Sequence, residues 1–109
     1  MKKATPSPDR KTFSKVWQLV KKIPPGKVTT YGRVAQVLEI KDARVVGWAL
    51  HANRDPTVPC HRVVNREGKL AENYAFGGWR AQRRRLMKEG VKFVDLRRVD
   101  PSAVITLKR

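Results

Sequence analysis

Apolar residues in the first quarter of the chain recur with the period of a helix. Phe13, Val16, Trp17, Val20 and Ile23 fall on one stripe, which predicts a helix from about Arg10 to Ile23 with Asp9 as its cap; the polar residues 1–8, with two prolines, read as a frayed tail. "IPPGK" at 23–27 stops that helix in a turn. In "KVTTYGRVAQVLEI" a short extended piece leads into a second helix, capped by Thr29 or Thr30, with Val34, Val37 and Leu38 inward. "KDARVVGWALHAN" predicts a third helix, capped by Asp42 and ended by Asn53, with Val45, Val46, Ala49 and Leu50 toward the core. Gly47 stands in its middle, where glycine costs about 1 kcal/mol against alanine. Either another helix packs tightly on it or a partner approaches that face. "CHRVVNREGKLAENYAF" reads as two short strands around a turn at "NREG". "GGWRAQRRRLMKEGV" is a last helix, opened by two glycines and closed by Gly90.

The order helix, helix, helix, hairpin, helix predicts a mainly α fold: a winged helix-turn-helix-like DNA-binding domain with a small β-hairpin. The domain spans residues 9–92, and residues 93–109 form a C-terminal extension of short strands or loop.

Charge agrees with that topology. Lys and Arg number 25 against 9 acids, a net +16, which points to a polyanion partner and to nucleic acid first. The basic residues spread along the chain instead of lining one amphipathic helix, so a membrane surface is not the expected partner. No apolar run approaches the roughly 18 residues of a membrane span, and "MKKATPSPDRKT" lacks the apolar stretch of a signal peptide. A single cysteine excludes an internal disulfide and favours a reducing compartment. The expectation is a cytoplasmic monomer acting where its nucleic acid lies, without a membrane partner.

That cysteine, Cys60, lies in "PCHRV" with His61 beside it. A thiol attacks as thiolate and needs a cation or a base near it. Sequence adjacency alone does not bring His61 to the sulfur, since neighbours on a strand point to opposite faces; a bridging water would remove that obstacle. A third group to orient the histidine is expected among the carboxylates. Glu89 stands out because it ends a very basic helix, where the dipole disfavours an acid. The residues by themselves leave two readings of Cys60 open, nucleophile or small buried hydrophobe. One Cys and two His without ligand spacing predict neither a metal nor a cofactor.

"PCHRVV" at 59–64 resembles the active-site motif of the O6-alkylguanine-DNA alkyltransferases. "IPPGKVTTYGRVA" (23–35) is similar to that family's segment before its first DNA-binding helix. "ARVVGWALHAN" (43–53) is similar to its recognition helix with the following asparagine, and "GGWRAQRRRLMKEG" (77–90) to its last helix, which ends in a glutamate. The likeness covers residues 11–92 and corresponds to the family's C-terminal, DNA-binding and catalytic domain.

The resemblance implies a protein that binds duplex DNA through the minor groove, flips a damaged guanine and moves its alkyl group onto a cysteine once. Cys60 matches the alkyl acceptor, His61 the water-mediated base, Glu89 the carboxylate orienting it and Asn53 the hinge asparagine. Arg44 matches the arginine inserted into the stack, and Tyr31 the tyrosine crowding the 3′ phosphate. Thr30 joins them at the DNA, with Gly47 and Ala49 as small residues that let the helix sit deep in the groove. Pro59, Val63, Tyr74, Phe76 and Trp48 are the expected pocket residues. Where the family usually has a serine and a lysine, Phe76 and Gln82 stand here. These changes are similar to the alkyltransferase-like proteins, which bind O6-alkylguanine DNA, lack the cysteine and pass the lesion to nucleotide excision repair proteins. Two functions follow, suicidal alkyl transfer and lesion recognition without transfer.

Overall fold

The computed structural model describes residues 10–72 and 74–108. Asp9 and the tail, residues 1–8, lie outside the described residues. Helix α1 runs over Arg10–Val20, three residues short of its predicted end. The last bonds tighten to Lys22 N–H to Leu19 O and Ile23 N–H to Val20 O, and Pro24 bars Ile23 from a helical backbone. The apolar stripe buries Val16, Val20 and Ile23, with Phe13 and Trp17 half-covered.

A two-residue strand β1 (Thr29–Thr30) leads directly into α2 (Tyr31–Leu38). Thr30 caps α2: its hydroxyl accepts from Arg33 N–H at 3.1 Å. Glu39, with φ 59°, turns the chain toward α3 (Arg44–Ala52). The Asp42 carboxylate accepts from Arg44 N–H at 2.9 Å and so serves the start of α3. Helices α1, α2 and α3 enclose one core of Val16, Val20, Val34, Val46, Ala49 and Leu50. Trp17 Nε1 donates to Ala49 O at 2.8 Å and ties α1 to the back of α3.

The predicted hairpin after Cys60 forms differently. Cys60–Arg62 is a 3₁₀ turn, and the following strand β2 (Val63–Val64) pairs in parallel with β1, Thr29 opposite Val63 and Thr30 opposite Val64. The turn at 65–68 does close, with Asn65 Oδ1 accepting from the N–H groups of Glu67 and Lys69. Its outgoing arm then pairs elsewhere: Lys69 bridges to Arg98, and Leu70 N–H donates to Arg97 O. The antiparallel hairpin of this fold is β3 (Phe93–Asp95) with β4 (Arg98–Val99), in the C-terminal segment.

Between them lies α4 (Gly78–Lys88), ended by Glu89 and by Gly90 at φ 88°. Val91 N–H reaches back to Leu86 O at 3.0 Å across that glycine, a glycine-terminated helix end. A second core of Val28, Val64, Leu70, Leu86, Val91, Val99 and Ala103 joins α4 to the C-terminal segment. That segment continues along β1, where Ile105 N–H donates to Val28 O and Thr29 Oγ1 donates to Ile105 O. Residues 93–108 are therefore stitched into the domain and do not trail from it. The fold is mainly helical, of helix-turn-helix type with a small sheet.

Candidate functional site

The parallel pairing of β1 and β2 builds the site. It sets the start of α2, and hence Tyr31, beside the turn carrying Cys60 and His61. Both Tyr31 and Cys60 line a cavity of about 660 Å³. Its other walls include Gly47, Trp48 and Leu50 of α3 and Tyr74 of the loop before α4. The cysteine thus opens onto the same side of α3 as Gly47 and the exposed Trp48.

Cys60 is buried, and its thiol is pushed above its ordinary pKa by that burial; the Asn53 amide works the other way, donating to Sγ at 3.4 Å. Asn53 ends α3 and braces the loop to Cys60. Its Nδ2 also donates to Asp55 O at 2.8 Å, and its Oδ1 accepts from Asp55 N–H at 3.1 Å. One residue therefore links the end of α3 to the sulfur.

His61 is also buried, and its Nε2 lies 2.9 Å from Glu89 Oε2. A carboxylate only accepts, so Nε2 carries the hydrogen and Nδ1 keeps a lone pair. Burial is the largest influence on the imidazole and lowers its pKa, against the pull of Glu89; His61 is a neutral base at neutral pH. Burial works to raise the Glu89 pKa, but hydrogen bonds from Arg62 and then His61 outweigh it and hold the carboxyl at about 2. Among the described residues no hydrogen bond joins Cys60 to His61, so a proton passing between them needs a bridging water. Desolvation pushes the Tyr31 phenol to about 12, with the neighbouring Cys60 adding to it, and burial raises Tyr74 as well; both phenols keep their protons.

Three residues without a role in the sequence reading belong to this site. Arg62 Nε and Nη2 grip Glu89 at 3.0 and 2.7 Å, and Nη1 donates to Ile23 O at 2.7 Å. Arg62 stands in "PCHRV" itself, so the signal was in view without a partner. Gln82 is fully buried; Oε1 accepts from Ala71 N–H and Nε2 donates to His61 O and Val63 O. It pins the backbone on both sides of the active-site turn. Arg85 of α4 lies over the rings of Tyr74 and Phe76, at 6.0 and 5.8 Å.

The expected DNA-facing set divides. Gly47 is open: a Cβ added there would meet nothing within 4 Å, which excludes tight helix packing as its reason. The Arg44 side chain is 78% exposed and rests on Asp42 at 2.7 Å. Ala49 does not belong to that face. It is fully buried against α1, because it follows Val46 by three residues on the core side of α3. Thr30 is turned inward as the cap of α2. Of the expected pocket residues, Trp48 and Tyr74 line the cavity. Val63 is fully buried in the core, Pro59 is buried beside the turn, and Phe76 packs on Tyr74 with ring centroids 5.9 Å apart. No group of three His, Cys, Asp or Glu gathers to hold a metal among the described residues, and no described helix is long and apolar enough to cross a membrane.

A basic helix-turn-helix whose second helix leaves its glycine bare, beside a cavity lined by a thiol, defines a domain of DNA-binding type. The chain belongs to the 6-O-methylguanine DNA methyltransferase family: the profile of that family's DNA-binding domain matches residues 11–91. It is 43% identical over 79 residues to the DNA base-flipping protein of Escherichia coli K12, covering 71% of this chain and 60% of that one. It is 43% identical over 76 residues to a methylated-DNA–protein-cysteine methyltransferase of Methanosarcina acetivorans, covering 65% and 47%. The solved S. pombe Atl1, in complex with damaged DNA containing O6-carboxymethylguanine, superposes with a TM-score of 0.77 at 31% identity, covering 90% of this chain and 97% of that one. The chain is a DNA-binding repair protein of the alkyltransferase family.

Proposed function

We propose that the protein flips O6-alkylguanine out of duplex DNA and transfers the alkyl group to Cys60 in one stoichiometric turnover. The observation that carries this reading is the opening of the Cys60 thiol onto the α3-side cavity, with Asn53 and the His61–Glu89 pair behind it.

The duplex docks through the open face around Gly47, while lysines and arginines elsewhere hold phosphates without reading sequence. Flipping costs a few kcal/mol; the exposed Arg44 is placed to fill the gap, and the rings of Trp48, Tyr31 and Tyr74 offer stacking worth about 1–3 kcal/mol per base. His61 Nδ1 takes the thiol proton through a water. The sulfur pair forms the new S–C bond and the C–O6 bond breaks, its electrons leaving with the guanine. The guanine then takes up the proton that His61 drew from the thiol, returned through water, while the neutral phenols of Tyr31 and Tyr74 in the same cavity keep their protons and offer hydrogen bonds. Because burial keeps the resting thiol protonated, the base must act during the reaction.

The second reading is lesion recognition without transfer, in which repair proteins are recruited to the flipped base. It draws on the raised thiol pKa and on Phe76, whose ring cannot donate a hydrogen bond to the lesion. The first reading predicts that a duplex bearing O6-methylguanine, incubated with excess protein and digested to nucleosides, loses the methylated nucleoside and gains unmodified deoxyguanosine in equal amount. Unchanged nucleosides, under conditions where binding is demonstrated, select the second.

A further inference from the structure

Glu89 does not belong to His61 alone. Its Oε2 accepts from His61 Nε2 at 2.9 Å and from Arg62 Nη2 at 2.7 Å, and Arg62 Nε adds a contact to Oε1 at 3.0 Å. Arg62 cannot swing away readily, because its Nη1 holds Ile23 O at the end of the α1 turn and its side chain is 14% exposed. A planar guanidinium grips a carboxylate in this two-pronged way more firmly than an imidazole does. The charged groups facing His61 are Glu89 and Arg85 from α4 and Arg62 on its own turn. A carboxylate left to His61 alone would favour the imidazolium, the form that can take no proton from Cys60.

We propose that Arg62 is a positioning residue that takes up most of the Glu89 charge, so that Glu89 orients His61 without protonating it and, with Arg85 nearby, leaves it a free base toward Cys60. This rests on the alkyl-transfer reading and names what sets the base in it. Glu89 orients and favours the charged ring, whereas Arg62 and Arg85 disfavour it and reinforce the larger effect of burial. The imidazolium formed during transfer stands close to two guanidiniums and gives its proton up readily.

The chain has two histidines, so ring-proton NMR titration resolves His61 once His51→Gln identifies the other signal. The titration needs no DNA. In the parent protein His61 titrates below 6.5. Arg62→Gln moves it up by about one unit, and Arg62→Lys, which keeps the charge but loses the fork, moves it up by less. Arg85→Gln, at an exposed position, raises it with the Glu89 grip intact and serves if Arg62→Gln fails to fold. The acid limb of the pH–rate profile for transfer moves upward with each variant. A His61 titration unchanged or lowered in the folded variants overturns the proposal, even with transfer intact. A raised titration in a protein that never transfers alkyl supports the tuning and overturns the alkyl-transfer reading instead.

Discussion

Replacing Gly47 by alanine should move stability and DNA affinity in opposite directions. Gly47 is the fourth residue of α3, and an added Cβ meets nothing within 4 Å. No steric term therefore opposes the usual gain of about 1 kcal/mol for alanine over glycine inside a helix, and the melting temperature should rise by roughly 4–8 °C for a domain of this size. The same methyl projects from the cavity-lining surface that the duplex must approach. Crowding a close-packed contact costs about 1–3 kcal/mol, which is roughly a 5- to 150-fold loss of affinity. Thermal unfolding by circular dichroism and fluorescence anisotropy on a lesion duplex, at one fixed salt concentration, read the two effects. A lower melting temperature would mean that the glycine serves packing within the protein. A raised melting temperature with unchanged affinity would remove this face from the DNA interface.

The other predictions concern the site. Glu89 falls from an ordinary 4.5 to about 2 on folding, so its contribution to stability is present above pH 4.5 and is lost as pH drops toward 2. Discounted for the partial solvent exposure of its carboxylate, that contribution is about 2 kcal/mol; denaturant titration of Glu89→Gln should show this loss at pH 7 and a flatter stability curve between pH 4.5 and 2. Asn53→Ala removes the only side-chain donor to Cys60 Sγ among the described residues and two loop braces, so it should raise the thiol pKa further, slow alkylation by iodoacetamide at pH 8, and cost about 2 kcal/mol of stability. Gln82→Lys, which brings in the family's usual residue, should not improve transfer. The amide is fully buried on three backbone groups, and a charged end there costs more than about 2 kcal/mol, read as a fall in melting temperature; faster transfer with unchanged melting would refute this account of Gln82.

The helices were legible because their apolar periods are strong and their ends carry chemical markers: Thr30 and Asp42 at starts, Asn53 and Gly90 at ends. The path after Cys60 was not. "VVN" has strand character whichever partner it takes, and only the long-range pairing with Thr29–Thr30 and the return of residues 97–105 decide it. Ala49 was read two ways, toward the core by its three-residue spacing from Val46 and at the groove by its size, and only the core reading holds. Glu89 was found because an acid at a helix C-terminus is out of place. Arg62 and Arg85 were missed because, in a chain with 25 basic residues, nothing local marks the two that face the active-site histidine. The C-terminal segment gave no motif, since its bonds to β1 are backbone bonds that any sequence can make.

The central claim is that Cys60 accepts an alkyl group. Intact-mass spectrometry after incubation with a duplex containing O6-methylguanine tests it most directly. The account predicts one added methyl group on the parent protein, and none on Cys60→Ala, which should still bind the lesion. An unshifted mass for the parent protein, on lesion DNA shown to be bound, would contradict it.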